Sequence, residues 1–220
     1  MADEIYTYSI IVRGSMNPPI HHPTWYLHVG LLNEDAVAVA LQSNQFLCGT
    51  PISQFSTATM TIQCFPDNWT LQTTRRDSIG DAVSLTAELF DGKLPHTPVQ
   101  AVGFNVAAHV NAGSGHIEAL LGSLAPTNEL GIDWFQNVGA GYTIVSEIPD
   151  CRIRIQIEPS LQVKGFLFLS LNFHYSLKKR DASSIFVDIG PVLKGRYLEN
   201  LDFSDRVMSS IVKAIIERGQ

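Results

Sequence analysis

Six polar side chains on three predicted strands have residue types and spacings that suit ligand binding or acid–base chemistry. Within each strand the candidates lie two or four residues apart, so they share one face, because side chains alternate along a strand. If the strands are neighbours, amides, imidazoles and guanidiniums converge on one surface, which could bind an anion or hold a base and its orienting partner. We call this surface the polar face, and it carries Asn105, His109, Arg152, Arg154, Asn172 and His174.

Two simpler interpretations of the polar face stay open. Antiparallel sheets commonly bury one face and leave the other in water, and such a face has this mixture of side chains. The same side chains could instead form an interface between copies of the chain, with polar pairs that set the register.

The element that must position most of these residues is a predicted hairpin over Cys151–Leu177. Isoleucines alternate with polar residues in its first arm, and leucines and aromatic residues do so in its second, which is typical of strands with one buried face. The segment from Pro159 to Lys164, followed by Gly165, is a plausible loop between the arms. One register that keeps the apolar residues together pairs Ile157 with Leu167, Ile155 with Leu169, Ile153 with Leu171, Arg154 with Ser170 and Arg152 with Asn172.

The remaining pattern predicts an α+β protein with a mostly antiparallel sheet of six or seven strands and helices covering one face. We expect one domain over residues 1–220, with a possible subdomain break within 113–141. Helices are predicted to start near Thr24, Asn33, Ser78 and Ser204, with another helix within Gly113–Ala125. Further strands are predicted over Ile5–Val12, Phe55–Phe65, Trp69–Thr73, Pro98–Asn111, Tyr142–Ile148 and Ile185–Ile189.

Composition narrows the classes of function. The chain has 220 residues, 45% of them hydrophobic, and no apolar stretch near the roughly 20 residues of a membrane span. Its N-terminus lacks the basic start and apolar run of a secretion signal, so we expect a cytoplasmic protein without a membrane partner. The three cysteines are far apart and form no CxxC pair, and no nucleotide or nucleophile motif occurs. The sequence therefore predicts no catalytic residue, no metal and no cofactor.

Charge is distributed unevenly along the chain. Residues 1–151 contain four basic and fourteen acidic residues, a net charge of −10, whereas residues 152–220 contain eleven basic and seven acidic residues, a net charge of +4. This split is compatible with self-association, with an anionic ligand near the C-terminal part, or with two halves that neutralise each other within one fold. The negative total disfavours nucleic acid as a direct partner.

Three hypotheses of function follow. The leading one is a non-enzymatic cytosolic interaction or assembly subunit, homo-oligomeric or bound to another protein. The second is a sensor of a small ligand or anion that uses Arg152, Arg154, Asn105 and Asn172. The third is a hydrolase or metal enzyme that depends on His109 and His174.

Overall fold

A computed structural model describes residues 4–111, 141–177 and 188–218 of the chain. In these residues nine strands form one sheet in the order β2-β3-β4-β5-β1-β6-β9-β8-β7, and all neighbouring strands are antiparallel. The strands are β1 (Ile5–Gly14), β2 (Leu47–Cys48), β3 (Ser53–Ser56), β4 (Thr61–Phe65), β5 (Asn68–Thr73), β6 (Val99–Val110), β7 (Tyr142–Ile148), β8 (Cys151–Pro159) and β9 (Leu167–Ser176).

Four α-helices accompany the sheet in the part of the chain that the structure describes. They are α1 (Pro23–His28), α2 (Glu34–Gln42), α3 (Ile79–Ala87) and α4 (Gly190–Arg218), and α3 continues into a π-helical turn (Glu88–Lys93). Short 3-10 turns occupy Pro18–Ile20 and Arg76–Ser78. The α+β class and the mostly antiparallel sheet predicted from the sequence are therefore confirmed.

The hydrophobic core lies between the helices and one face of the sheet, which we call the apolar face. Alternate residues of the central strands, such as Ile10, Phe104 and Leu169, are buried on this face, as period-2 alternation requires. Helix α4 contributes a stripe of buried residues that recurs every seven or eight positions, which keeps one side of a helix on the sheet. This stripe consists of Leu193, Leu201, Met208 and Ile215.

The predicted count of six or seven strands is wrong, because the sheet has nine. The segment Phe55–Phe65 was predicted as one strand, but it forms β3 and β4 joined by a turn, in which Thr57 N–H donates to the Met60 carbonyl at 2.8 Å. The two-residue strand β2 is too short to show any periodicity. Both differences concern the first edge of the sheet.

The predicted pairing of the central hairpin is displaced by two residues. Ile157 lies opposite Leu169 rather than Leu167, and Arg154 lies opposite Asn172. The face of every side chain was nevertheless predicted correctly, because a shift of two positions preserves the alternation. Gly165 adopts φ +81° in the connecting loop, a conformation that favours glycine.

Two helix starts also differ from the prediction. His22, not Thr24, caps α1, and its Nδ1 accepts a hydrogen bond from the Thr24 N–H at 3.2 Å. Ser204 lies inside α4 and not at its start, and its hydroxyl donates to the Asn200 carbonyl at 2.7 Å. A serine bonded back to the preceding turn is tolerated within a helix, so the residue type alone misplaced this start. By contrast, Asn33 caps α2 as predicted.

The true start of α4 is held by an acidic residue from the π-helical turn. The Asp91 carboxylate accepts hydrogen bonds from the N–H groups of Ile189 and Gly190, both at 2.8 Å. A carboxylate at this position satisfies free N–H groups and interacts favourably with the helix dipole. Asp91 thereby fixes where the longest helix begins over the sheet.

Three predictions fall on parts of the chain outside the described residues. They are the helix within Gly113–Ala125, nearly all of the possible subdomain break within 113–141, and most of the strand over Ile185–Ile189. The last two residues of that strand, Asp188 and Ile189, precede α4 and are not in a strand.

Candidate functional site

The structure brings five of the six predicted site residues together, all except His109. Strands β6 and β9 are neighbours, with Asn105 directly opposite Asn172, and Arg154 lies opposite Asn172 on the far side. His174 lies two residues from Asn172 along β9, on the same face, and is opposite Arg152. The part of the polar face on β6, β9 and β8 is therefore continuous.

The two asparagines at its centre are joined by hydrogen bonds. The Asn172 side-chain amide donates to the side-chain Oδ1 of Asn105, and the Asn105 side-chain amide donates to the Ser9 hydroxyl at 3.1 Å. Both asparagines are half-buried, so these bonds satisfy groups that water reaches only in part. This chain of side-chain hydrogen bonds ties β1, β6 and β9 together.

His109 and His174 do not form a pair. His174 lies opposite Gly103, six residues from His109 along β6, which separates the two imidazoles by about 20 Å at roughly 3.3 Å per strand residue. Direct proton transfer requires hydrogen-bond range. The histidine-dependent enzyme hypothesis therefore gains no support from this pair.

His109 has a structural environment at one end of the polar face. It is buried beside the Phe168 ring, and its Nδ1 lies 2.7 Å from the Ser160 hydroxyl. That hydroxyl already accepts hydrogen bonds from the N–H groups of Gln162 and Val163, at 3.2 and 2.9 Å. Because the N–H groups of the loop occupy the two lone pairs of this hydroxyl, its proton is directed at Nδ1. This arrangement favours the imidazole tautomer that carries its proton on Nε2.

The two arginines that the sequence placed on the polar face, Arg152 and Arg154, are exposed. Arg152 is 3.9 Å from Glu147, a long and solvent-exposed ion pair that contributes little to stability. Arg154 makes no ion pair with any residue that the structure describes, and it lies between Asn172 on β9 and Val145 on β7. A free guanidinium beside an amide is a reasonable partner for an anion.

Most of the polar face is uncharged, although this was not evident from the sequence. From β3 to β9 the side chains are mainly hydroxyls and amides, such as Gln63, Thr70, Gln72 and Ser170. No lysine or aspartate occurs on the strands of this face, and its charged side chains are Arg13, Glu147, Arg152, Arg154 and Glu158. No described helix covers it, since the described helices pack on the apolar face.

Sequence reasoning missed a cleft on the opposite side of the sheet. It has a volume of about 970 Å³ and lies between β7–β9 and the first half of α4. Apolar side chains of both walls line it, among them Ile153, Phe173, Val192 and Phe203, and Arg196 lies at its rim. The residues of α4 that line the cleft were not recognised in the sequence, because the helix was predicted to begin only at Ser204.

Two titratable groups in this cleft, the Cys151 thiol and the Tyr175 phenol, have raised pKa values. Burial raises the pKa of the Cys151 thiol, which lies close to the Tyr175 hydroxyl. Burial also raises the pKa of Tyr175 to about 12, and its hydroxyl donates to Asn200 Oδ1 at 2.9 Å. A protonated thiol beside a bonded phenol is a poor nucleophile, so the cleft offers no activated group of this kind.

A metal site was not predicted, and the described residues contain no cluster of three or more histidine, cysteine or acidic side chains that could hold an ion. His21, in the histidine-rich loop before α1, instead bonds through Nδ1 to the Tyr26 hydroxyl at 2.8 Å. Trp69 donates to the same hydroxyl at 3.0 Å. Burial lowers the pKa of His21 to about 4, so this imidazole is neutral at pH 7.

In the described part of the chain, no helix combines the length and the apolar character needed to cross a bilayer. The sequence matches no model of a protein family and no curated protein.

Proposed function

We propose that the protein is a non-enzymatic cytoplasmic subunit that assembles with a second copy of itself through the polar face. The observation that carries this proposal is that a broad sheet face, uncovered by any described helix, is largely free of charged side chains. The centres of protein interfaces are depleted of lysine, glutamate and aspartate relative to other surfaces. A face that simply met water in a protein of net charge −6 would be expected to carry more acidic residues.

The electrostatics of the face also support self-association. Its charged residues are three arginines and two glutamates. Arg13 lies near the C-terminal end of the central strand β1, and the other four lie on β8 and β7 at one side of the sheet. Two copies packed face to face would therefore bring mostly hydroxyls and amides together at the centre. Neutral polar groups can form hydrogen bonds across an interface without the large desolvation cost of burying charges.

Native mass spectrometry, with a denatured run for comparison, tests this proposal. We expect an even multiple of the 24.2 kDa chain. Gln72→Lys places a charge in the middle of the face. Because the position is exposed, each copy should fold normally, but the number of chains per assembly should fall by half. Gln42→Lys, the same change at an exposed position on α2, is the matched control and should leave the assembly intact. A monomeric wild-type protein would overturn the proposal.

A second candidate, recognition of a small anion, is favoured by the exposed guanidinium of Arg154, which lies opposite Asn172 and forms no ion pair with a described residue. Inorganic phosphate is a suitable probe, because it accepts hydrogen bonds from arginine and amide groups. We expect phosphate to raise the melting temperature of the wild type but not of the Arg152→Ala/Arg154→Ala double variant. Equal shifts in the two proteins would exclude the arginines as the site.

A further inference from the structure

Strand β7 is an edge of the sheet in the described part of the chain, so one side of its backbone has no strand partner there. Its side chains are exposed on both faces, and three of them are large and apolar. Ile144 and Ile148 are each 51% exposed and point to the apolar face, whereas Val145 is 46% exposed on the polar face. Unpaired N–H and C=O groups next to apolar side chains form a template for another strand.

Within the described residues, this edge lacks the features by which soluble proteins prevent strand pairing. The other edge of the sheet, β2, has only two residues, whereas β7 has seven. Strand β7 contains no proline and no lysine, its pairing with β8 is regular throughout, and its only charged residue is Glu147. An edge of this kind is ordinarily covered by a partner.

We infer that β7 pairs in antiparallel fashion with β7 of a second copy, about a two-fold axis that passes midway between the two copies of Val145. In this register Val145 meets Val145 of the second copy on the polar face. On the apolar face Ser146 meets Ile144 of the second copy, and Ile148 meets its Tyr142. Both faces of the sheet continue across the axis because directly opposed residues share a face, and the half-exposed isoleucines become covered.

The charges of β7 are compatible with this pairing. Glu147 lies opposite Thr143 of the second copy, and the two copies of Glu147 are offset by four residues. At roughly 3.3 Å per residue that offset is about 13 Å, which exceeds the screening length of about 8 Å at physiological salt. Each Glu147 also lies opposite Arg152 of its own chain.

The inference rests on the proposed function, because a pair of seven-residue strands is a small interface by itself. The axis of the strand pair is perpendicular to the sheet, whereas the axis of face-to-face packing lies in its plane. Two perpendicular two-fold axes that intersect generate a closed tetramer. The combination therefore predicts four copies, arranged as two extended sheets packed through their polar faces.

Disulfide cross-linking tests the register. Val145→Cys, in a Cys48→Ser background, should form a covalent dimer under mild oxidation, because directly opposed residues of antiparallel strands lie within disulfide range. Ile148→Cys is the matched control at a similarly exposed position of the same strand. Its two copies would be offset by six residues, or about 20 Å, so it should not cross-link. Because Cys151 lies directly opposite Ile148 within each chain, both cysteine variants also carry Cys151→Ser.

Native mass spectrometry separates the two interfaces. Val145→Glu places two carboxylates at the axis, while Arg154 opposite it can accommodate one glutamate within each chain. It should reduce four copies to two, whereas Val39→Glu, at a valine of similar exposure (45%) on α2, should not. Gln72→Lys should yield dimers that still cross-link through Val145→Cys.

Failure of the edge pairing is distinguishable from failure of the face interface. Suppose that Gln72→Lys halves the number of chains per assembly. If Val145→Cys then does not cross-link, or if Ile148→Cys cross-links equally well, only the edge pairing is overturned. If Val145→Cys cross-links and Gln72→Lys has no effect, the edge pairing is supported and the face interface is overturned. A monomeric wild type, or a different protein bound at β7, would overturn the inference.

Discussion

Asn172 on β9 and Asn105 on β6 face each other, and the Asn172 side-chain amide donates a hydrogen bond to the side-chain Oδ1 of Asn105. Asn105 in turn donates to Ser9 on β1. The centre of the polar face thus consists of side chains bonded to one another across three strands. It is held in one register before any partner binds.

This amide chain should contribute measurably to stability. Asn172→Ala removes one hydrogen bond between half-buried groups, so we expect a loss of about 1 kcal/mol in the free energy of unfolding. A double-mutant cycle with Asn105→Ala should give a coupling energy of roughly 0.5–1 kcal/mol. Urea denaturation provides the free energies. Ser170→Ala, on the same strand and face, is the control, and a coupling near zero would show that the two amides act independently.

The cap on α4 should be a second determinant of stability. Asp91→Ala removes both hydrogen bonds at the start of this helix, and we expect a loss of about 1–2 kcal/mol. Gly190→Ala should act at the same place, because its Cβ would lie 2.5 Å from Asp91 Oδ2.

Hydrogen exchange of the Ile189 and Gly190 amides locates the effect, and both variants should accelerate it. Glu217→Ala breaks only an exposed pair with Lys213 near the other end of α4 and should cost less than about 0.5 kcal/mol. Unchanged exchange in Asp91→Ala would mean that the carboxylate does not hold the start of the helix.

Periodicity was sufficient to predict which face each strand residue occupies. The alternation in β6, β8 and β9 placed all six site residues on one side, and the structure keeps them there. Alternation carries no information on a shift of two positions, which is why Arg154 lies opposite Asn172 and not Ser170. Register depends on the loop, here on the turn at Ser160 and the conformation of Gly165.

Other features could not be predicted because their cause lies far away in the sequence. The start of α4 is set by Asp91, which precedes Gly190 by 99 residues. Without that contact, Ser204 resembled the cap at the start of the helix. The lack of charge on the polar face likewise became apparent only when the strand order placed β3, β4 and β5 beside β1.

The histidine at the end of the polar face gives a third prediction, about its tautomer. Ser160 should hold His109 with its proton on Nε2, and nitrogen NMR correlation spectra of the imidazole can show this directly. Ser160→Ala should remove the preference and cost about 1–2 kcal/mol, since two backbone N–H groups of the loop also lose their acceptor. Ser176→Ala, at the exposed end of β9, should change neither quantity. A wild-type imidazole protonated on Nδ1 would contradict the arrangement.

The buried histidine near α1 gives a fourth prediction, for the pH dependence of stability. Burial lowers the pKa of His21 to about 4, against about 6.5 in an unfolded chain. Between these values the unfolded state binds more protons, so stability should fall as the pH is lowered from about 6.5 towards 4. The contribution of His21 to this fall is at most about 3 kcal/mol, from the size of the pKa difference.

Urea denaturation at pH 7.5 and pH 5 measures this dependence. His21→Gln keeps an acceptor for the Tyr26 hydroxyl but cannot titrate, so the difference between the two pH values should shrink in this variant. His28→Gln, at an exposed histidine on the last turn of α1, should behave like the wild type. Because acidic residues titrate in all three proteins, only the difference between variants reports on His21. An identical pH dependence in His21→Gln and the wild type would mean that the imidazole is protonated as readily in the folded state as in the unfolded chain.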